Sequence, residues 1–345
     1  MNPRFFALIA LAACSTTSPA PAGPSLTPQT SGTSQRLQAI SPVSDLIAWA
    51  SGTGGTYVRT TDGGATWAAG VVPGADSLEF RDVEGVSAEV AYLLAAGPGD
   101  RSRIYKTEDA GRTWEVQFTN RDTSAFYDCF AFWDARRGFT MSDAVAGRFP
   151  VVRTTDGSAW SDIGGNLPEA QSGEGAFAAS GTCTAVLGER HGWIATGAAA
   201  RARVLATTDG GESWREAATP IAQGSPTSGG SSIEFRDTLH GILAGGNIAA
   251  PDSFADNVAR SADGGRSWQL ARRTPFPGGV YGLAYAGAGS RTVVATGPSG
   301  AAWSPDEGDR WMLLEGVKDY WAVAFAGPRA GWLVGTEGRI LKLTF

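Results

Sequence analysis

Three carboxylates, one arginine and one tyrosine are the strongest candidates for chemistry in this 345-residue chain. Carboxylates beside an arginine can bind a ligand or exchange protons with it. The more ordinary role of such groups is to be solvated or to close a loop locally, and the sequence leaves both roles open. The five residues are Tyr127, Asp128, Asp143, Arg148 and Glu174.

Other kinds of chemistry lack the residues that they need. The chain has two histidines, His191 and His240, each directly before a glycine, which leaves no histidine-based triad and few zinc arrangements. No Gly-x-Gly-x-x-Gly motif follows a strand and opens a helix, and no haem or copper ligand set is present. We therefore expect no metal, no cofactor and no catalytic residue. The net charge of −6 and the pI near 5.1 argue against a nucleic-acid surface.

A repeated turn motif accounts for many of the tryptophans, glycines and aspartates. Its tryptophans recur every 43 to 54 residues, and the motif is the Asp-box or BNR pattern, Ser/Thr-x-Asp-x-Gly-x-Thr-Trp. The aspartate can accept backbone N–H groups and the glycine supplies a positive φ, so the box predicts a hairpin turn. We expect its aspartates to be structural rather than catalytic or calcium-binding. They are Asp62, Asp109, Asp156, Asp209, Asp263 and Asp306.

The period of the boxes is that of one four-stranded blade, which predicts an all-β fold, a seven-bladed β-propeller covering residues 35–345. The seventh unit has no box and stops after a third strand. Because an open edge there would invite aggregation, a strand from roughly residues 26 to 35 is expected to close the last blade. The inner strand pairs are expected to start near residues 37, 79, 127, 177, 232, 280 and 321.

The N-terminus resembles a bacterial lipoprotein leader. Arg4 precedes an apolar run that ends in Leu11-Ala-Ala-Cys14, so residues 1–13 are predicted to be a signal peptide and Cys14 the lipidated residue. A plain cleaved signal is the alternative. Residues 14–34, rich in Ser, Thr and Pro, are predicted to be a tether. We expect an extracytoplasmic monomer, facing the periplasm or the cell surface, whose lipid is its only membrane contact.

Two cysteines remain once Cys14 carries lipid. Cys129 and Cys183 fall in the inner strands of neighbouring blades, which makes a disulfide geometrically reasonable in an oxidising compartment. Two buried free thiols are the alternative.

Long connections cluster on one face of blades two to five. Loops longer than closure requires often carry function, although neutral insertion is also cheap. This face is the expected docking surface for a partner. Its loops are residues 97–103, 143–149, 161–176, 217–231 and 246–258.

Residues 35–345 resemble the photosystem II stability/assembly factor-like family of bacterial Asp-box propellers, including a subset often labelled "oxidoreductase". The stretches that carry the resemblance are 127–134, 141–149 and 173–183. It implies a non-enzymatic platform that docks a protein partner. The oxidoreductase label would be a second alternative, but no cofactor site supports it.

The first alternative is a sialidase-like glycoside hydrolase or a glycan-binding propeller. Sialidases share the propeller fold, but they need three arginines around a carboxylate together with a Tyr/Glu nucleophile pair. Tyr281 and Tyr320 stand near the expected channel mouth, and no arginine triad accompanies them in the sequence.

Overall fold

Seven four-stranded antiparallel sheets make up the described part of the chain, residues 22–345 of a computed structural model. The predicted seven-bladed propeller is confirmed. The predicted signal peptide, Cys14 and the start of the tether lie outside the described residues. Within residues 22–345, the only helical segments are three short 3₁₀ turns, and none could cross a membrane. These turns are Gly99–Arg101, Gly164–Asn166 and Thr336–Gly338.

Each blade runs from an inner strand at the channel to an outer strand at the rim. Blades one to six are continuous in sequence, with strands β2–β5, β6–β9, β10–β13, β14–β17, β18–β21 and β22–β25. Their bounds are β2 Leu37–Pro42, β3 Ala48–Gly52, β4 Thr56–Thr60, β5 Ala68–Val71, β6 Phe80–Gly85, β7 Ala91–Ala95, β8 Arg103–Thr107, β9 Glu115–Thr119, β10 Tyr127–Phe132, β11 Gly138–Ser142, β12 Val151–Thr154, β13 Trp160–Asp162, β14 Thr184–Leu187, β15 His191–Ala195, β16 Arg203–Thr207, β17 Arg215–Ala218, β18 Ser228–Phe235, β19 Gly241–Asn247, β20 Val258–Ser261, β21 Gln269–Leu270, β22 Gly282–Tyr285, β23 Val293–Gly297, β24 Gly300–Ser304 and β25 Met312–Leu313.

The last blade joins the two ends of the chain. It consists of β26 (Tyr320–Gly327), β27 (Ala330–Gly335) and β28 (Arg339–Thr344), with β1 (Ser25–Thr30) as its outer strand. β1 pairs antiparallel with the whole of β28. The predicted closure by an N-terminal strand is therefore confirmed, but the strand starts earlier than expected. The folded domain begins at Ser25, within the segment predicted to be tether.

Apolar packing between neighbouring blades forms the core. Seven clusters of buried side chains each span two successive blades, and the cluster between the last and first blades includes Trp332 and Leu37. Each blade is a sheet with two apolar faces, and each of its two neighbouring blades packs against one of those faces. The ring is thus held together by its blade interfaces, and its closure completes the last of them.

Each of the six box turns is built from side-chain hydrogen bonds, as the fourth blade shows. The Thr207 hydroxyl accepts from the Gly211 amide at 3.0 Å and donates to Asp209 at 2.7 Å. Asp209 accepts the amide and the hydroxyl of Ser213 at 3.0 and 2.5 Å. Burial opposes ionisation of Asp209, but the Ser213 and Thr207 hydrogen bonds outweigh it and lower its pKa to about 2.

Replacing this aspartate is expected to give a modest, pH-dependent loss. Asp209→Ala should lower the free energy of unfolding at neutral pH by about 1 kcal/mol, since the turn is partly exposed to solvent. A lowered pKa stabilises the fold above the unfolded value of 3.8, and that contribution is lost as pH falls towards about 2. Urea unfolding of both proteins should therefore show a gap that closes below about pH 3. A gap that stays constant with pH would contradict this role.

Candidate functional site

A β-bulge interrupts the inner strand of five blades at the same place, beside one mouth of the channel. Pairing skips one residue in β2, β6, β10, β18 and β26. A bulge leaves its extra residue unpaired and re-aims its side chain. The five bulges therefore form a ring of side chains around the mouth. The skipped residues are Gln38, Arg81, Asp128, Ser231 and Trp321.

Four members of this ring line a cavity of about 450 Å³, which we call the mouth cavity. Ser231 is the exception, because its hydroxyl is buried against the Val280 carbonyl. Arg36 and Tyr281 also line the cavity, from segments just before β2 and β22. All seven blades contribute to its wall or rim, whereas the sequence pointed to blades two to five alone.

The floor of the mouth cavity is a segment that crosses the channel, residues 177–182, which we call the plug. Its first half lines the mouth cavity, and its second half lines a separate cavity of about 240 Å³ towards the other end of the channel. The Ala178 carbonyl accepts from Arg81, and the Ser180 hydroxyl donates to the Tyr281 carbonyl at 2.5 Å. Thr182 donates to Ser232 at 2.8 Å. Contacts with blades two, five and six hold the plug across the ring.

The disulfide fixes the end of the plug. Cys183 follows the plug directly and is bonded to Cys129 of β10, with 6.0 Å between the two Cα atoms. Both cysteines are fully buried, so the predicted disulfide is confirmed and the free-thiol alternative is wrong. The fourth inner strand was expected near residue 177 but begins at Thr184, because residues 177–182 form the plug instead.

Two arginines and one glutamate form the basic side of the mouth cavity. Glu79 lies 2.8 Å from the Arg81 guanidinium and 3.7 Å from that of Arg36. The Arg36 guanidinium also lies over the Trp321 ring at 5.1 Å. One glutamate cannot neutralise two guanidinium groups, so this side presents net positive charge towards an occupant.

Two carboxyl groups form the acidic side. Burial raises the pKa of Asp128 well above its usual range, and the nearby charge of Asp143 raises it further, while Arg81 opposes both effects. Burial also raises the pKa of Asp143, to about 6. Asp143 is held by its own amide, which donates to the Phe126 carbonyl at 3.0 Å, and by the Ala176 amide at 3.2 Å. Both carboxyl groups are therefore harder to ionise than ordinary aspartates.

The structure brings together only two of the five residues predicted for the site. Asp128 and Asp143 line the mouth cavity, but Tyr127 is buried in the core, 5.2 Å from the Phe118 ring centroid. Arg148 pairs with Asp162 at the surface. Glu174 is buried and pairs with Arg203. Tyr127, Arg148 and Glu174 therefore do not line the mouth cavity.

Sequence reasoning missed Arg36, Gln38, Arg81 and Trp321. They could have been found by aligning the inner strands of all seven units. Each of the last three residues directly precedes the core run of its inner strand, at the place that Asp128 occupies in the third unit. Their types differ from blade to blade, so no repeated letter marks the position.

The cavity at the other end of the channel is acidic. Glu84 and Glu234 line it, and burial raises the pKa of each to about 8. Glu234 accepts the Tyr285 amide of the next blade at 2.6 Å, which is a structural bond between inner strands. Among residues 22–345, no group of three or more Asp, Glu, His or Cys side chains is arranged to hold a metal ion.

Solved propellers resemble this structure over nearly its whole described length. No family model matches the chain, and no curated protein matches it significantly. The structure of YCF48 bound to a D1 peptide aligns with a TM-score of 0.61 over 93% of this chain and 97% of that one, at 16% identity. YCF48 from Cyanidioschyzon merolae aligns with a TM-score of 0.63 over 94% and 99%, also at 16% identity.

A third similar structure is an enzyme. The GH74 xyloglucanase of Xanthomonas campestris aligns with a TM-score of 0.62 over 92% of this chain and 53% of its own, at 16% identity. The likeness is one of fold. At this identity it separates neither a binding propeller from an enzyme nor one ligand from another, so the function has to be argued from the site.

Proposed function

We propose that this chain is a non-enzymatic, extracytoplasmic binding scaffold that docks a segment of a partner protein at the channel mouth. The observation that carries the proposal is the make-up of the mouth cavity. Two arginines and partly exposed aromatic rings, among them Phe126, Tyr281 and Trp321, surround an opening that the plug closes from below. Aromatic residues and arginine are the side chains that most often dominate the energy of protein–protein association.

The rim extends this surface outwards. Ile248, from a loop of the fifth blade, and Pro226, from the connection between the fourth and fifth blades, are exposed at the cavity edge. These two side chains add apolar surface at the edge of a recessed, charged cavity. An extended segment could place its side chains in the cavity while its flanks cover the rim.

The setting supports a scaffold outside the cytoplasm. The buried disulfide suits an oxidising compartment, and the predicted lipid on Cys14 would hold the domain at a membrane, with the residues before β1 as a short tether. YCF48, which has the same fold, has been seen with a peptide bound. That observation supports a docking role here, and the partner of this chain is proposed only as a protein segment.

A glycoside hydrolase is the weaker alternative. A sialidase needs a Tyr/Glu nucleophile pair, and Tyr281 lines the mouth cavity without any glutamate beside it in the cavity wall. Two arginines line the mouth cavity, whereas a sialidase grips its substrate carboxylate with three. The mouth cavity thus lacks the residue set of a sialidase.

Photocrosslinking from the rim tests the docking role. A benzoylphenylalanine at Ile248, 37% exposed, is expected to capture one discrete protein in membranes of the native host. The matched control is the same group at Leu239, which is 48% exposed in the same blade but lies at the opposite end of the channel. We expect at least about a tenfold excess of the crosslinked band from Ile248, measured by mass spectrometry of the purified adducts.

Two results would count against the proposal. Equal capture from both positions would mean that neither surface is specific. Absence of any adduct from Ile248, together with turnover in a screen of glycans or redox substrates, would favour an enzyme.

A further inference from the structure

Two buried oxygen atoms beside the mouth cavity have no hydrogen-bond partner in the protein. They are Oε1 of Gln38 and Oδ2 of Asp128, and each residue is only 2% exposed. Both side chains line the mouth cavity from bulges in their inner strands. Buried polar atoms are nearly always hydrogen-bonded, so these two require donors from within the cavity.

A donor is also unpaired nearby. Nε of Arg36 is buried without an acceptor, although the guanidinium lies against Glu79 and Trp321. The cavity wall therefore carries both acceptors and a donor that the protein leaves unsatisfied. An occupant that satisfies them must itself offer N–H or O–H groups together with a carbonyl or similar oxygen.

The charges around this corner limit the occupant further. Arg81 and Asp143 are the charged groups that act on Asp128, and Arg81 also pairs with Glu79 at 2.8 Å. A cationic ligand would be opposed by the two guanidinium groups. A carboxylate could approach the arginines, but it has no hydrogen to donate to Gln38.

We propose that Arg36, Gln38 and Asp128 form a hydrogen-bonding subsite that receives a carboxamide group. Its two N–H hydrogens can meet the unpaired oxygens of Gln38 and Asp128, and its carbonyl can accept from Nε of Arg36. The inference rests on the proposed function, because the amide would belong to the docked segment, as an Asn or Gln side chain or a peptide group.

Matched aromatic probes test the chemistry directly on the whole folded domain. Benzamide carries the amide, acetophenone only the carbonyl, and benzoate the charged acid, while the shared ring suits the Trp321 side of the cavity. Titrations followed at the Trp321 indole ¹⁵N–¹H signal, assigned with Trp321→Phe, should show benzamide binding at least about tenfold more tightly than acetophenone or benzoate. Equal affinity for all three would overturn the proposal.

Substitutions locate the site. Gln38→Leu and Asp128→Leu should each weaken benzamide at least about tenfold. Asp128→Asn, which keeps a carbonyl oxygen on a side chain of the same shape, should bind within about threefold of the parent. Thr184→Val, which removes another unpaired buried hydroxyl outside the mouth cavity, is the control and should change nothing.

The outcomes separate this inference from the docking role. If Asp128→Leu does not fold, the probe series on the parent and on Gln38→Leu still decides the matter. Capture of a partner at Ile248 with no preference for benzamide would support the docking role and contradict the carboxamide subsite. A benzamide preference with no captured partner would indicate a small-molecule site and contradict the docking role.

Discussion

Removal of residues 22–31 is expected to destabilise the propeller by roughly 3–6 kcal/mol, because two buried indole groups lose their shared acceptor. Gln29 of β1 accepts at 3.0 Å from the indole nitrogens of both Trp67 and Trp332. Trp332 is fully buried. The shortened chain would also expose the edge of β28, which favours association between molecules.

Urea unfolding and sedimentation measure the two effects. The reference is the same domain beginning at residue 22. The variant Gln29→Ala removes only the shared acceptor, and it should lower the free energy of unfolding by about 2–4 kcal/mol. Thr27→Ala, an exposed change in the same strand, should stay within about 0.5 kcal/mol. If the shortened chain stays monomeric and unfolds at the same urea concentration as the reference, β1 is not what closes the ring.

The fold could be predicted from the repeats because each repeat determines its turn through interactions between residues close in sequence. A box aspartate and its neighbouring hydroxyl define the turn through contacts within seven residues. Each copy of the box therefore predicts one blade of the same four-stranded type. The missing box in the seventh unit then predicted that a distant segment must close the ring. The disulfide followed from the same count, since it placed Cys129 and Cys183 in adjacent inner strands.

The site was harder to predict because its residues are set by register and by long-range contacts. A bulge changes the direction of a side chain without changing the residue types around it, which is why Arg81 and Trp321 went unnoticed. The plug interrupts the repeat, and its contacts reach blades far apart in sequence. Carboxylates such as Asp128 and Glu174 look alike in sequence, and only burial and partners separate a site residue from a structural one.

Glu174→Ala is expected to lower the free energy of unfolding by about 3–5 kcal/mol, because it leaves a buried guanidinium without its main partner. The Glu174 side chain is 0% exposed and that of Arg203 is 8% exposed. The two carboxylate oxygens accept from Arg203 at 2.7 Å each, and further bonds come from the Thr196 hydroxyl and the Gln171 amide. Arg203 keeps a contact with the half-exposed Glu216, which places the expected loss towards the lower end of the range.

The surface pair from the same predicted face provides the matched control. Arg148 and Asp162 are 48% and 52% exposed, so Asp162→Ala should cost less than about 1 kcal/mol in the same urea experiment. Glu174→Ala should also speed proteolysis of the 161–176 connection, whose end Glu174 ties to β16 through Arg203. Equal losses from the two variants would mean that the Glu174–Arg203 pair is solvated. A large difference would show why two ion pairs of one sequence type on one face have opposite energetic importance: burial forces the carboxylate to be paired, whereas solvent can replace either partner of the exposed pair.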